Sequence, residues 1–409
     1  FFQAEAGIRD RSPSRGLGDV YKRQFRTFIF WVHLVIGVAG GIIILMMSLT
    51  GVVLTYEAQI NRWDQQEYRS QERASHSEPL TIDELLLHIS DHVPDATPSA
   101  ITIRHNQLEP AVVNVGGGIS MFFDRYSGQP LGNNDRPIRR FLRSVMYWHR
   151  WFALDGDNRI YGRTITNTAN LGFLFLVISG AYLWWPKTWS LSALRPITWF
   201  RAGLKGRARN FNWHNVIGLW MALPLVIIVF SGSAIGYRWV TNGIYFAFGE
   251  NPPGQSTITS QSDVTDANVN EQRHYASYQP MFDQANIDAQ LWNAITLRIP
   301  ADNAERVLLL VDRGTGRQPS KQYELAFDRE NGGLVERTGY PAYSPARKFG
   351  RWLRFAHTGE VYGFLGQTIA GIAAAGAVVL VWTGLAMAWR RFQNTQSKQS
   401  RPSPGERLR

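Results

Sequence analysis

The stretch Phe30 to Glu57, FWVHLVIGVAGGIIILMMSLTGVVLTYE, is apolar for longer than a bilayer core is thick. A run of more than ~20 such residues predicts a membrane-spanning helix, which restricts every other choice the chain can make. His33, in the first turns of that helix, is ionisable where ionisable groups are expensive, and such a residue is by default a functional candidate. The same pattern recurs 181 residues later in FNWHNVIGLWMALPLVIIVFSGSAIGYR, Phe211 to Arg238. Adding 181 carries His33, Val35, Ile36, Gly37, Gly51 and Tyr56 onto His214, Val216, Ile217, Gly218, Gly232 and Tyr237. Six identities in one ungapped register predict an internal duplication that includes the histidine.

A second offset, 204, relates the rest. Gly162, Thr164, Ile165, Gly180 and Trp185 fall on Gly366, Thr368, Ile369, Gly384 and Trp389, and Phe123, Asp124, Arg125 and Gly128 fall on Phe327, Asp328, Arg329 and Gly332. His149, in YWHRW, and His357, in RFAHTGE, each stand just before an apolar run. The expected unit, written twice, is a histidine helix, a polar domain and a second histidine helix. Residues 25–56 are span one, 57–140 a polar module, and 141–186 a short outer helix followed by span two. A basic loop (187–211), span three (212–238), a linker with a second polar module (239–351), span four (352–390) and a basic tail (391–409) complete the chain.

In the first module, Thr81 and Glu84 predict a capping box ahead of an amphipathic helix. Alternation in ITIRH and AVVNV predicts strands, and Ser127–Gly128 a hairpin turn; AITLRIP, RVLLLV and YELAFDRENGGLVE repeat the pattern. ENPPGQSTITSQSDVTDANVNEQ reads as a mobile linker. Residues 1–24 lack a signal-peptide layout and end in DVYKRQ, which resembles a translated sequencing adapter, so they are set aside from the fold argument. The expected fold is an α-helical membrane protein, a four-helix bundle built by tandem duplication, with two α+β domains outside the membrane.

The net charge of +11 is explained by its distribution rather than by a nucleic-acid partner. Lys187, Arg195, Arg201, Lys205, Arg207 and Arg209 share a loop with no acidic residue, and the tail from Arg390 carries six Lys/Arg against Glu406. By the positive-inside rule both are cytoplasmic. The 15 Trp and 15 Tyr fit aromatic belts at the two interfaces of a lipid bilayer. The absence of cysteine excludes disulfides, thiolate chemistry, cysteine-ligated iron–sulfur clusters and covalent haem of the C-x-x-C-H type.

With loop and tail inside, spans one and three run outward and spans two and four inward. His33 and His214 are then expected near the cytoplasmic face, and His149 and His357 near the outer one. A pseudo-twofold axis along the membrane normal would set equivalent residues opposite each other, giving two stacked histidine pairs. Facing neutral imidazoles in a bundle suit a haem iron with both axial positions filled, and so two b-type haems and transmembrane electron transfer. A lone metal or a proton relay is the competing use. Gly37, Gly40, Gly41 and Gly218, and Gly162 with Gly363 or Gly366, would give a macrocycle room; ordinary close helix packing is the alternative.

The W-x-H or W-H starts, the Y-W-H-R-W motif and the F-D-R-x-x-G hairpin resemble the PepSY-associated transmembrane helix family over nearly everything after residue 24. The resemblance implies PepSY-like periplasmic domains, a bacterial inner-membrane location and, as in some members, di-haem reduction of a ferric siderophore. It leaves open a quinol or a separate reductase as donor, since no nucleotide or flavin motif is visible. Arg139, Arg140, Arg143 and Arg150 cluster near one outer histidine, and Arg347, Lys348, Arg351 and Arg354 near the other. Of these, Arg143, Arg150, Arg351 and Arg354 are expected to pair with haem propionates or to attract an anionic chelate, with contact to anionic lipid headgroups as the alternative. A PepSY-type regulator of a peptidase or an envelope sensor, and an iron or chelate transporter, are the rival readings. His76, His88, His92, His105 and His274 have no repeat partner.

Overall fold

A computed structural model describes residues 17–69, 78–94, 97–115, 118–186, 188–253, 275–289 and 291–399. His76, His274 and the expected linker from residue 254 onward lie outside them. The helices, in chain order, are α1 (Leu17–Leu54), α2 (Glu57–Asp64), α3 (Ile82–His92), α4 (Pro137–Trp151), α5 (Arg159–Trp184), α6 (Leu191–Thr198), α7 (Gly206–Gly236), α8 (Arg238–Ala247), α9 (Tyr278–Asp288), α10 (Pro345–Ala356) and α11 (Gly363–Gln399). The strands are β1 (Ala100–Arg104), β2 (Ala111–Asn114), β3 (Ser120–Phe123), β4 (Pro130–Asn133), β5 (Ala294–Arg298), β6 (Arg306–Asp312), β7 (Gln322–Asp328) and β8 (Leu334–Gly339).

Among the described residues, four stretches are long and apolar enough to cross a membrane: Tyr21–Leu54, Gly156–Trp184, Gly206–Gly236 and Glu360–Asn394. This is a multi-span membrane protein. α1 begins at Leu17, inside the segment set aside on sequence grounds, so the first span is the end of a longer helix. The chain forms two compact units, each assembled from separated pieces.

The helical unit draws on the chain up to Leu45, on Thr168–Val226 and on the chain from Gly376. Its helices approach closely where a side chain is missing, as membrane helices do when packing replaces the hydrophobic effect. A Cβ on Gly41 would come within 3.1 Å of Leu385, one on Gly172 within 3.2 Å of Ile36, and one on Gly376 within 2.8 Å of Met221. Asn212 ties the basic loop to α7: its side-chain amide donates to the carbonyls of Pro196 (2.8 Å) and Trp199 (3.1 Å) and accepts from the Arg201 backbone (3.1 Å).

The sheet unit contains Met46–Asn167 and Ile227–Ala375. Its eight strands form one antiparallel sheet in the order β4-β3-β2-β1-β5-β6-β7-β8. The two modules expected as separate domains therefore share a sheet through β1 and β5, with Ile101 opposite Leu297 and Ile103 opposite Ile295. Alternation buries one face of the inner strands, while the edge strands β4 and β8 have no buried residue. Ile101, Ile103, Val113, Phe123, Ile295, Leu309, Leu325 and Phe327 are almost fully buried beneath Leu85 and Ile89 of α3 and Met281 and Ala285 of α9. At ~1.5–3 kcal/mol for each large side chain, this single core is the unit's main source of stability.

The expected capping box is present: the Glu84 backbone donates to Thr81 Oγ1, and Glu84 accepts from the Thr81 backbone. The F-D-R-x-x-G motif is structural in both copies. Asp124 accepts from the backbones of Tyr126 and Ser127, and Asp328 from those of Glu330 and Asn331, while Gly128 and Gly332 adopt the positive φ of 68° and 72° that closes the turn. The buried Arg125 reaches the Arg104 carbonyl (3.1 Å), and the buried Arg329 reaches the carbonyls of Ala301, Asp302 and Ala304.

Candidate functional site

All four histidines singled out in the sequence meet a hydroxyl on another helix. In the helical unit, His33 Nδ1 on α1 lies 2.8 Å from Ser179 Oγ on α5, and His214 Nδ1 on α7 lies 3.0 Å from Thr383 Oγ1 on α11. The two rings line one cavity with Gly37, Gly41 and Gly218 and a largely aliphatic wall that includes Leu176, Leu225 and Leu385. The cavity holds about 260 Å³ and is partly open to the surroundings, just below the ~300–1,000 Å³ that ligand and cofactor sites occupy. No charged side chain lines it among the described residues.

In the sheet unit, His149 Nδ1 on α4 lies 2.9 Å from Thr50 Oγ1 on α1. His357, at the end of α10, brings its Nδ1 to 3.2 Å from Ser231 Oγ and 2.8 Å from the Ile228 carbonyl, both on α7. The two imidazole centroids are 6.3 Å apart with an interplanar angle of 62°. With Nδ1 engaged on each ring, Nε2 is the nitrogen left for a ligand. Burial pulls the His149 pKa down to about 4, helped by the His357 ring and Arg150 and opposed by the Met47 carbonyl. His357 is lowered by burial first, then by Arg354 and Arg150, against the Ile228 carbonyl. Both rings are neutral at physiological pH, the state in which imidazole binds metals.

The arginines expected here separate into two sets. Arg150 and Arg354 act on the histidines and on each other, and the cluster extends to Arg159 and Arg163. Arg150 also sits 4.7 Å over the Trp151 ring. Arg351 instead donates to Gln322 Oε1 on β7 (3.3 Å), and Arg143 neighbours Arg139, so these two serve the helix surface and the sheet.

The glycines separate too. Gly37, Gly41 and Gly218 line the cavity, whereas Gly40 faces Ile44 of its own helix. A Cβ on Gly162 would collide with the Trp151 carbonyl and one on Gly366 with the Gly359 carbonyl, so both seat the loop that precedes a span. At the site histidines, Gly51, Gly180 and Gly384 face the imidazoles, with 3.6, 3.5 and 3.4 Å between an added Cβ and Cε1 of His149, His33 and His214.

The hydroxyls escape the sequence reading although a signal is present. Each span carries one Ser/Thr–Gly dipeptide at a repeat-equivalent place: Thr50–Gly51 and Ser231–Gly232 at offset 181, Ser179–Gly180 and Thr383–Gly384 at offset 204. α4 and α10 likewise align only at a third offset, 208, which matches Pro137, Arg139, Phe141, Arg143 and His149 to Pro345, Arg347, Phe349, Arg351 and His357.

Fold and site together define a multi-span α-helical membrane protein with a long antiparallel sheet and two histidine pairs held by helix-borne hydroxyls. The family profile of the PepSY-associated TM region matches residues 30–396, and the chain belongs to that family. The resemblance carried by the histidine and hairpin motifs is thereby borne out over nearly the whole chain. No curated protein matches it at a significant level.

Proposed function

We propose that this protein is a di-haem b electron conduit of the bacterial inner membrane that reduces Fe(III)-siderophore in the periplasm, built by tandem duplication of one histidine-bearing unit. The observation that carries the reading is the outer pair. Two imidazoles bonded through nitrogen to one metal at ~2.0–2.1 Å have centroids roughly 6–6.5 Å apart. His149 and His357 stand at 6.3 Å with their Nδ1 atoms turned to other partners. Among the described residues no group of three or more His, Asp or Glu converges, which favours a cofactor that brings its own equatorial ligands over a bare ion.

When bound, haem would supply a one-electron Fe(III)/Fe(II) couple. His33 and His214 would hold one group and His149 and His357 the other. An aliphatic wall surrounds the first pair, and the missing side chains of Gly37 and Gly218 would leave width for a flat ring. Arg150 and Arg354 offer the second pair two guanidiniums suited to propionates or to an anionic chelate. One electron delivered to the bound Fe(III) leaves Fe(II), which a siderophore holds weakly; the donor is a quinol or a separate reductase.

Visible spectroscopy of the purified protein tests this. The expected result is a Soret band, two haems per chain, loss of one haem in the H33A/H214A double variant, and reoxidation of the quinol-reduced protein by a ferric siderophore. Absence of a Soret band, or retention of both haems in that variant, removes the assignment. A haem-loaded protein that no ferric siderophore reoxidises removes the substrate.

A further inference from the structure

We infer that Thr50, Ser179, Ser231 and Thr383 are positioning residues: each fixes its histidine as the Nδ1–H tautomer and so presents a bare Nε2 lone pair to the ligand. This rests on the haem reading above for its effect on a cofactor, but its geometric part stands without it. A hydroxyl has one proton to give and can accept twice. Ser179 donates to the Phe175 carbonyl (2.6 Å), Thr383 to that of Val379 (2.7 Å), Thr50 to that of Met46 (2.8 Å) and Ser231 to that of Ile228 (2.8 Å). Such back-bonding is the ordinary way a helix satisfies a Ser or Thr hydroxyl in an apolar setting. The proton being committed, the same oxygen can only accept from the imidazole, so Nδ1 carries the hydrogen in all four rings.

His357 supplies an independent check. Its Nδ1 also lies 2.8 Å from the Ile228 carbonyl, which has no proton to give, so Nδ1 must be the donor. The Met47 and Leu380 carbonyls, three residues before Thr50 and Thr383, stand beside His149 and His214 in the same relation. An acceptor on the far nitrogen orients a ligating imidazole and raises its basicity, which favours the oxidised metal.

The four positions are not equivalent in what remains after the hydroxyl is removed. His357 keeps a 2.8 Å carbonyl if Ser231 is truncated, and its hydroxyl contact is the longest of the four. No such carbonyl contact accompanies the 2.8 Å Ser179 hydrogen bond of His33. S179A should therefore disturb its histidine most and S231A least, with T383V between them because the Leu380 carbonyl stands beside His214.

The test compares the full-length protein with S179A, T383V and S231A, and with S179T and T383S as variants that keep a hydroxyl. T383V keeps the shape of a fully buried side chain. Expected in S179A and T383V are a haem affinity lower by ~10–100-fold, as measured by haem transfer to apomyoglobin, a higher midpoint potential and an altered low-spin ferric EPR signal. S179T and T383S should behave as the parent, and S231A should move little. Bound haem with unchanged affinity, potential and EPR signal in S179A and T383V overturns the inference alone. If the parent carries no haem, the haem reading has failed, and ¹⁵N NMR of histidine-labelled protein decides the tautomers. Nδ1–H rings in the parent that lose that preference in S179A and T383V support the inference, and Nε2–H rings in the parent overturn it.

Discussion

Asp83 is the residue on which the union of the two modules is most open to test. Its carboxylate sits in the first turn of α3 yet accepts from the start of α9: Ser277 Oγ at 2.5 Å, the Tyr278 backbone at 3.0 Å and the Gln279 backbone at 2.9 Å. Gln279 returns the contact, its side-chain oxygen accepting from the Ile82 backbone at 2.8 Å. Hydrogen bonds to a charged acceptor contribute ~1.5–3 kcal/mol each, but in D83A the Ser277 hydroxyl still receives the Gln279 backbone, and the site is partly solvated. The net cost is then about 2–4 kcal/mol, equivalent to roughly 30- to 700-fold faster opening of α9 at ~1.4 kcal/mol per decade. Hydrogen exchange followed by mass spectrometry on the purified protein reads this directly over Tyr278–Asp288. α3 should be affected as well, because the two helices cover one core, while peptides from the helical unit serve as the internal reference. Unchanged protection of α9 in D83A would show that the helices are held by the sheet alone and would refute the cross-capping argument.

Three further outcomes follow from local geometry. Phe152 and Ala153 both have positive φ, 53° and 55°, so A153G should stabilise the sheet unit by up to ~1 kcal/mol, visible as a rise of a few degrees in its thermal midpoint. G366A should destabilise by more than ~2 kcal/mol, because its Cβ meets backbone rather than a movable side chain; accelerated exchange at the start of α11 is the measurement. Asp312 is held above the ordinary aspartate pKa by burial, despite the Gly314 and Gly316 backbones and Gln322. Its protonated form is favoured in the fold, so it stabilises at pH below the ordinary value and progressively less as pH rises toward the folded one. D312N should raise thermal stability at neutral pH and lose that advantage in acid.

The spans, the histidines and the strands were legible because each is a local pattern: length of apolar run, an ionisable group inside it, alternation with a turn. The single sheet was not, since β1 and β5 lie about 190 residues apart and alternation marks which face of a strand is buried without naming its neighbour. The positioning hydroxyls were hidden for a different reason. Ser and Thr in a membrane helix ordinarily satisfy themselves on their own backbone, and these four do so as well, so nothing local marks the second lone pair. Gly162 and Gly366 were visible as repeat positions, but their use against the Trp151 and Gly359 carbonyls depends on how the preceding loop turns back. The four extra residues that shift the offset from 208 to 204 lie in that loop.

The two histidine pairs are supported in physically different ways. His33 and His214 lie on the spans themselves, and their hydroxyl partners lie on the other two spans, so that site is as firm as helix-to-helix packing through Gly41 and Gly172 makes it. His149 and His357 lie on short helices that end where a span has yet to begin, and only their hydroxyl partners are on spans. Their placement depends on loop devices: the Thr166 hydroxyl donating to the Arg150 carbonyl at 2.8 Å on one side, and on the other the buried Glu360 carboxylate accepting from Arg317 at 2.9 Å and Thr358 at 2.7 Å. Arg317 belongs to the loop between β6 and β7, so the sheet reaches the His357 segment through an ion pair. A perturbation of the sheet therefore has a direct route to His357. The sheet is thus a support for the His149–His357 pair, and its integrity should govern the placement of His357.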